Sequence, residues 1–142
     1  MTSLYETIVT NLTTILKAVT SLAEPTYIKK YFFGAPISPG DVYPYIYVDW
    51  IGGPVQPAST AEEELTNDVN IVVVDRNSNV EICEKSVMTF AQTIKDTVDA
   101  NPTISGCVDN CYATSVDKVG AKDGDYAVNF VRILVRTVKE ET

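Results

Sequence analysis

The stretch Tyr126-Ala127-Val128-Asn129-Phe130-Val131-Arg132-Ile133-Leu134-Val135-Arg136-Thr137-Val138 decides how this chain folds. It is long and rich in β-branched and aromatic residues, so it reads as a strand. Successive side chains of a strand point to opposite faces. Val131, Ile133 and Val135 lie on one face. Val128, Phe130, Arg132, Leu134, Arg136 and Val138 lie on the other. A strand with one solvated face alternates polar and apolar, and this one is apolar on both sides. The second face therefore needs a cover of its own. Aromatic and aliphatic residues interleaved with arginine are the composition of a protein interface. Tyr45 and Tyr47, from an earlier strand, extend the same surface. The expected subunit interface is thus Tyr45, Tyr47, Phe130, Arg132, Leu134 and Arg136. The alternative cover is a loop, such as residues 52–64, folded over the sheet.

Working outward, residues 118–125 hold Gly120 and Gly124 and read as a polar turn. A strand is expected over 108–117, with Val108, Tyr112, Thr114 and Val116 on one face. Upstream, Val80, Cys83, Val87, Phe90, Ala91, Ile94 and Val98 recur at helical spacing. Asn77, Ser78 or Asn79 caps this helix, and Asn101-Pro102 ends it. Residues 65–75 read as a strand centred on Val69-Asn70-Ile71-Val72-Val73-Val74. Residues 52–64, with Gly52, Gly53, Pro54 and Pro57, read as a long loop. Residues 44–51 form a strand with Ile46, Val48 and Trp50 on one side. Residues 34–43 are a loop and 27–33 a short edge strand. Leu4, Ile8, Leu12, Ile15, Leu16, Val19 and Leu22 mark an N-terminal helix, which Ser3 caps and Glu24-Pro25 ends. The expected fold is α+β: a single domain over residues 1–142, with a mainly antiparallel sheet of four or five strands packed on two long helices.

The charge balance narrows the function. The 142 residues carry 11 basic and 19 acidic side chains, a net charge of −8, with a pI near 4.4. Such a surface repels phosphate, so no sequence-specific nucleic-acid partner is expected. DNA can still pass a negative wall without sticking. There is no histidine, which removes the commonest general base and metal ligand. No enzyme activity is expected, and no cofactor. No apolar run approaches the ~20 residues of a membrane span, and the N-terminus lacks the pattern of a signal peptide. The three cysteines are therefore expected as reduced thiols of a cytosolic protein.

Candidate chemical motifs fail on inspection. Cys107-x-x-x-Cys111 offers two of the roughly four ligands that a zinc site needs. Asp75-Arg76-Asn77-Ser78-Asn79 begins like a calcium loop, but Val80 stands where glycine is required and Ser86 where glutamate is. The acidic groups Glu62-Glu63-Glu64 and Asp123/Asp125 read as solvated loop charges. With Lys118 and Lys122 they are candidates for contacts to a lumen or a neighbouring ring. Lys29-Lys30 among Tyr27, Tyr31, Phe32 and Phe33 reads as an edge strand.

The whole chain resembles the tail terminator (tail completion) proteins of long-tailed bacteriophages. The features are the N-terminal helix, the Pro-x-Ile-x-Val strand at Pro44-Tyr45-Ile46-Tyr47-Val48, a strand ending in Asp75-Arg76, and a helix leading into Asn101-Pro102-Thr103-Ile104-Ser105-Gly106-Cys107-Val108. A long hairpin follows. The resemblance implies a virion structural protein, assembled in the host cytoplasm. It implies a homohexameric ring at the head-proximal end of the tail tube, which ends tube polymerisation and joins the tail to the head connector. The implied partners are further copies of the chain, the tail tube protein and a connector or neck protein, with genome DNA passing through the lumen. Two alternatives stand beside it: another neck or tail-tube protein, and a small-molecule-binding regulatory α+β domain.

Overall fold

The computed structural model describes residues 3–38, 40, 42–57 and 63–141. Its elements run α1 (Leu4–Lys17), β1 (Lys30–Phe33), β2 (Tyr45–Gly52), β3 (Val55–Pro57), β4 (Glu63–Asn77), α2 (Val80–Asp99), β5 (Asn110–Asp123) and β6 (Tyr126–Glu141). The fold is α+β, with both helices on one face of a sheet ordered β1-β2-β4-β6-β5, and β3 paired to β4 beside β2.

Both helices start where a side chain can accept an orphan backbone N–H. The Ser3 hydroxyl accepts from Glu6 N at 3.1 Å, and Asn79 Oδ1 accepts from Ile82 N at 3.1 Å. α1 stops at Lys17, short of the expected Leu22. A 3₁₀ turn at Thr20–Leu22 still delivers Leu22 to the core. In α2 the stripe faces the sheet as expected, except that Val80 is exposed.

The helix-covered face forms one core. Ile8, Leu12 and Leu16 of α1 and Val87, Ile94 and Val98 of α2 pack over the strands. Beneath them lie Ile46 and Val48 of β2, Ile71 and Val73 of β4, and Val131, Ile133 and Val135 of β6. This is the face assignment that the alternation of β6 predicts.

Four features differ from the expected fold. First, the sheet is mixed, because β1 runs parallel to β2, with Lys30 opposite Tyr45 and Phe33 opposite Val48. The segment between them is long enough to return the chain to its starting end, whereas a short turn would have reversed it. Second, the expected loop over 52–64 contains β3, which makes the sheet six-stranded. A bulge falls at Ile51, where the register with β4 shifts between Trp50 and Gly52, and Gly53-Pro54 links β2 directly to β3. A Cβ on Gly53 would sit 2.0 Å from the Thr66 carbonyl oxygen, so only glycine lets the backbones approach. Third, the expected turn over 118–125 is mostly strand: β5 runs to Asp123, and only Gly124-Asp125 turns. Gly120 is a strand residue facing Asn129, whose Oδ1 would lie 3.1 Å from a Cβ. Fourth, a bulge between Ala113 and Ser115 splits the face assigned to β5. Tyr112, opposite Arg136, is on the outer face, whereas Val116, opposite Ile133, is on the helix side.

The segment after α2 is unusual in its backbone. Ile104, Ser105 and Gly106 all have positive φ, at 48°, 57° and 84°. A β-branched residue in that region is strained by ~1–2 kcal/mol. Full burial of Ile104 against the core offsets it, and Asn11 Nδ2 donates to its carbonyl at 3.4 Å.

Two expectations follow from this packing. Ile133→Ala should cost ~2–5 kcal/mol of stability, while Val119→Ala, at an exposed position on β5, should stay within about 0.5 kcal/mol. Urea unfolding of both variants reads this, and equal losses would contradict the face assignment. The second concerns alkali. Burial, with Asp99 nearby, raises the Cys111 thiol from an ordinary 9.0 to about 11. The neutral thiol is the form the fold holds, so its contribution is complete below pH 9 and is lost as pH rises toward 11. The urea midpoint should fall across that window, and Cys111→Ala should flatten the fall. A Cys111→Ala profile as steep as wild type would contradict it.

Candidate functional site

The outer face of the sheet, away from the helices, has two regions. Toward the β2 start and the β4 end, Tyr45, Val72, Val74 and Val128 form a second apolar cluster with Phe32, Tyr43, Tyr47 and Phe130 against it. Phe32 meets Tyr45 edge-on with ring centroids 5.6 Å apart, and Tyr43 leans on the same ring. Tyr45 and Val74 are thus buried by the chain itself. The cover includes Tyr43, from the segment before β2; residues 58–62 of the alternative cover lie outside the described residues. Burial raises the phenols of Tyr45 and Tyr47, so both stay neutral.

The other region is charged. Arg136 donates twice to Asp68, from Nε at 3.0 Å and Nη2 at 3.2 Å. These two residues face each other directly across β4 and β6, which fixes the guanidinium in the planar fork that suits a carboxylate. Arg132 Nη2 pairs with Asp117 at 3.0 Å. Leu134 lies between them, half-buried and opposite Asn70. The six residues expected at an interface therefore share this face. Tyr45, Tyr47 and Phe130 build its apolar end, and Arg132, Leu134 and Arg136 its charged end.

The expected lumen or ring-contact residues are scattered. Glu62 lies outside the described residues. Glu63 and Glu64 belong to β4, opposite Glu141 and Glu140 of β6. Like charges placed directly opposite repel, and Glu64 opposite Glu140 is such a pair. Lys118 is a strand residue on the helix side, ion-paired with Glu84 of α2. Lys122 and Asp123 end β5, and Asp125 is in the turn. Only Asp125 of the described set is a loop residue.

Arg76 ties this turn to the rest. Its guanidinium lies 4.9 Å from the Tyr43 ring centroid and 4.5 Å from that of Tyr126, and Nη1 meets Asp123 Oδ2 at 3.2 Å. One side chain thereby joins β4, the segment before β2 and the tip of the β5–β6 hairpin.

Two further surfaces lie at opposite ends of the strand order. Beside β1 and β2, Tyr5 of α1 stacks on Trp50 at 4.9 Å between centroids. With Phe33, Val9, Ser3 and Glu6 they line a shallow aromatic recess. At the other end, a groove of about 330 Å³ runs between α2 and β5, floored by Val131 and walled by Met88, Ala91 and Val116, with Gln92, Lys95 and Lys118 on its rim. Neither surface was visible as a site in the sequence. Trp50 reads there as a helix-side residue, which it is, but β2 lies so near the sheet edge that the helices leave it half-exposed. The sequence places residues 27–33 at a sheet edge, but the stacking of Tyr5 on Trp50 depends on which strand β1 joins and on where α1 packs.

No family model and no curated protein sequence matches the chain. Among solved structures, its fold is similar to a chain from the virion of the native gene transfer agent particle. The TM-score is 0.59 at 14% sequence identity, over 92% of this chain and 92% of that one. Such a likeness across nearly the whole of both chains, at so low an identity, is a likeness of fold.

Arg76→Met should remove the ion pair and both ring contacts while keeping most of the stem packing. The expected loss is about 1–2 kcal/mol, with faster amide exchange at Gly120 to Tyr126. Unchanged exchange in that hairpin would contradict the tethering role.

Proposed function

We propose that this chain is a virion structural protein, without enzymatic activity, that works by assembling with copies of itself. The observation that carries the proposal is the shared fold with a chain of a gene transfer agent virion, which spans 92% of both chains. The sheet adds physical support. It is apolar at its centre on both faces, and among the described residues its strand order ends at β1 and β5. Open edges offer rows of backbone donors and acceptors, which soluble monomers usually block.

The finer reading is that of a tail terminator. In it, six copies close into a ring at the head-proximal end of the tail tube, end tube growth, and join the tail to a connector or neck protein. Its support is the resemblance of the Asn101 to Val108 segment. The net charge of −8 suits a lumen through which DNA slides, and the carboxylates at the β4–β6 end are the first candidates to line it. A heterologous contact whose rotation closes makes a ring, whereas one that does not close makes a filament. A terminator must be of the closing kind.

Removing the coding sequence from its virus tests the terminator station. Tails of abnormal length are expected, with heads left unjoined. Tails of normal length would contradict the terminator reading and point to another neck or tube component.

A further inference from the structure

The proposed ring needs two different surfaces on each copy, and the fold presents a matched pair. We propose that the aromatic recess beside β1 of one copy seats in the α2–β5 groove of the next, in a head-to-tail contact. The inference rests on the assembly reading above and names its contact.

Four observations converge. The first is topology. β1 and β5 are the two ends of the strand order, and both surfaces lie on the helix-bearing side of the sheet. A copy cannot join its own two ends, so the pairing is between copies and heterologous.

The second is chemistry. Phe33, at the end of β1, is 65% exposed, and the stacked Trp50 and Tyr5 are 44% and 36% exposed. Rings of this kind dominate binding energy when they are desolvated. The receiving groove is apolar, with Met88 62% and Val116 48% exposed, and its volume of about 330 Å³ suits one or two such rings. At the exposures of Phe33, Trp50 and Tyr5, and with ~150–250 Å² for a whole aromatic side chain, the three rings can bury roughly 200–350 Å² more, a part of the ~800 Å² per partner that a stable interface needs.

The third is charge. Glu6 is the charged residue among those lining the recess, and Lys95 and Lys118 are the charged residues lining the groove. Both lysines are already ion-paired within the chain, Lys95 with Asp99 at 2.7 Å and Lys118 with Glu84, so Glu6 would join existing pairs at the rim, where charge placement fixes the register of an encounter. The fourth is the backbone. β5 is a strand of 14 residues bonded to β6 on one side, and β1 is bonded to β2 on one side. The approach that seats the rings brings these two free edges toward each other, where strand addition can extend the sheet across the contact.

The test is light scattering on the purified chain and on Phe33→Asp and Val116→Asp, with circular dichroism to verify folding. Wild type is expected as an oligomer. Each variant is expected as a folded monomer, with association weakened at least about tenfold. Phe33→Asp keeps its groove and Val116→Asp keeps its rings, so a 1:1 mixture should give a heterodimer that cannot extend. Variants that stay at wild-type size would overturn this contact and leave the assembly reading standing. Monomeric variants whose mixture stays monomeric would overturn the pairing of these two surfaces. A wild type that is monomeric at every concentration, with or without tail tubes, would overturn the assembly reading and this contact with it. Should an aspartate perturb the fold, the rim charges give the same readout: Glu6→Lys should weaken assembly, and mixing it with Lys95→Glu should restore it. No restoration would count against the contact.

Discussion

Two central strands, β4 and β6, are apolar on both faces, and two helices can cover only one. The rest of the structure depends on that imbalance. The helix side resolves it fully: Val73 and Ile71 of β4 and Ile133 and Val135 of β6 lie under α1 and α2 with no exposed surface. The outer side resolves it by division. At one end the chain covers Val74 and Tyr45 with its own aromatic side chains. At the other it replaces apolar contacts by the Arg136–Asp68 fork and the Arg132–Asp117 pair. Exposed pairs of this sort add little stability, but they fix side chains in place and leave a patterned surface.

Among the described residues, exposed apolar side chains include a cluster at each of the sheet's two ends. There Phe33 and Trp50 on one side, and Met88 and Val116 on the other, face solvent although they have the chemistry of a core. A closed barrel has no such ends. An open sheet keeps them, and assembly into a ring is one way to remove them without changing the subunit fold.

Much of this was legible in the sequence. The stripes of α1 and α2, the cap residue Ser3, a second cap among Asn77, Ser78 and Asn79, and the two-faced alternation of β6 are local patterns, and each was visible without coordinates. The failures have a common cause. Gly52-Gly53 and Gly120 read as turns because glycine marks both turns and places where backbones or side chains crowd a strand. Which of the two applies depends on what lies across the sheet: Thr66 for Gly53 and Asn129 for Gly120. The parallel direction of β1 and the bulge at Thr114 are likewise set by pairing with distant segments. The candidate surfaces were only partly legible for the same reason. Residues that share the outer face of β2 and β6 follow from period-two alternation. Bringing Tyr5 onto Trp50, or Met88 beside Val116, needs the strand order.

The central claim is that these subunits close upon one another in a discrete ring. Native mass spectrometry of the purified chain over a wide concentration range tests it most directly. The account predicts one closed species at an integer multiple of the 15.6 kDa subunit mass, six in the terminator reading, with the monomer as its dissociation product. A monomer at every concentration, or an open ladder of masses without a preferred size, would contradict it.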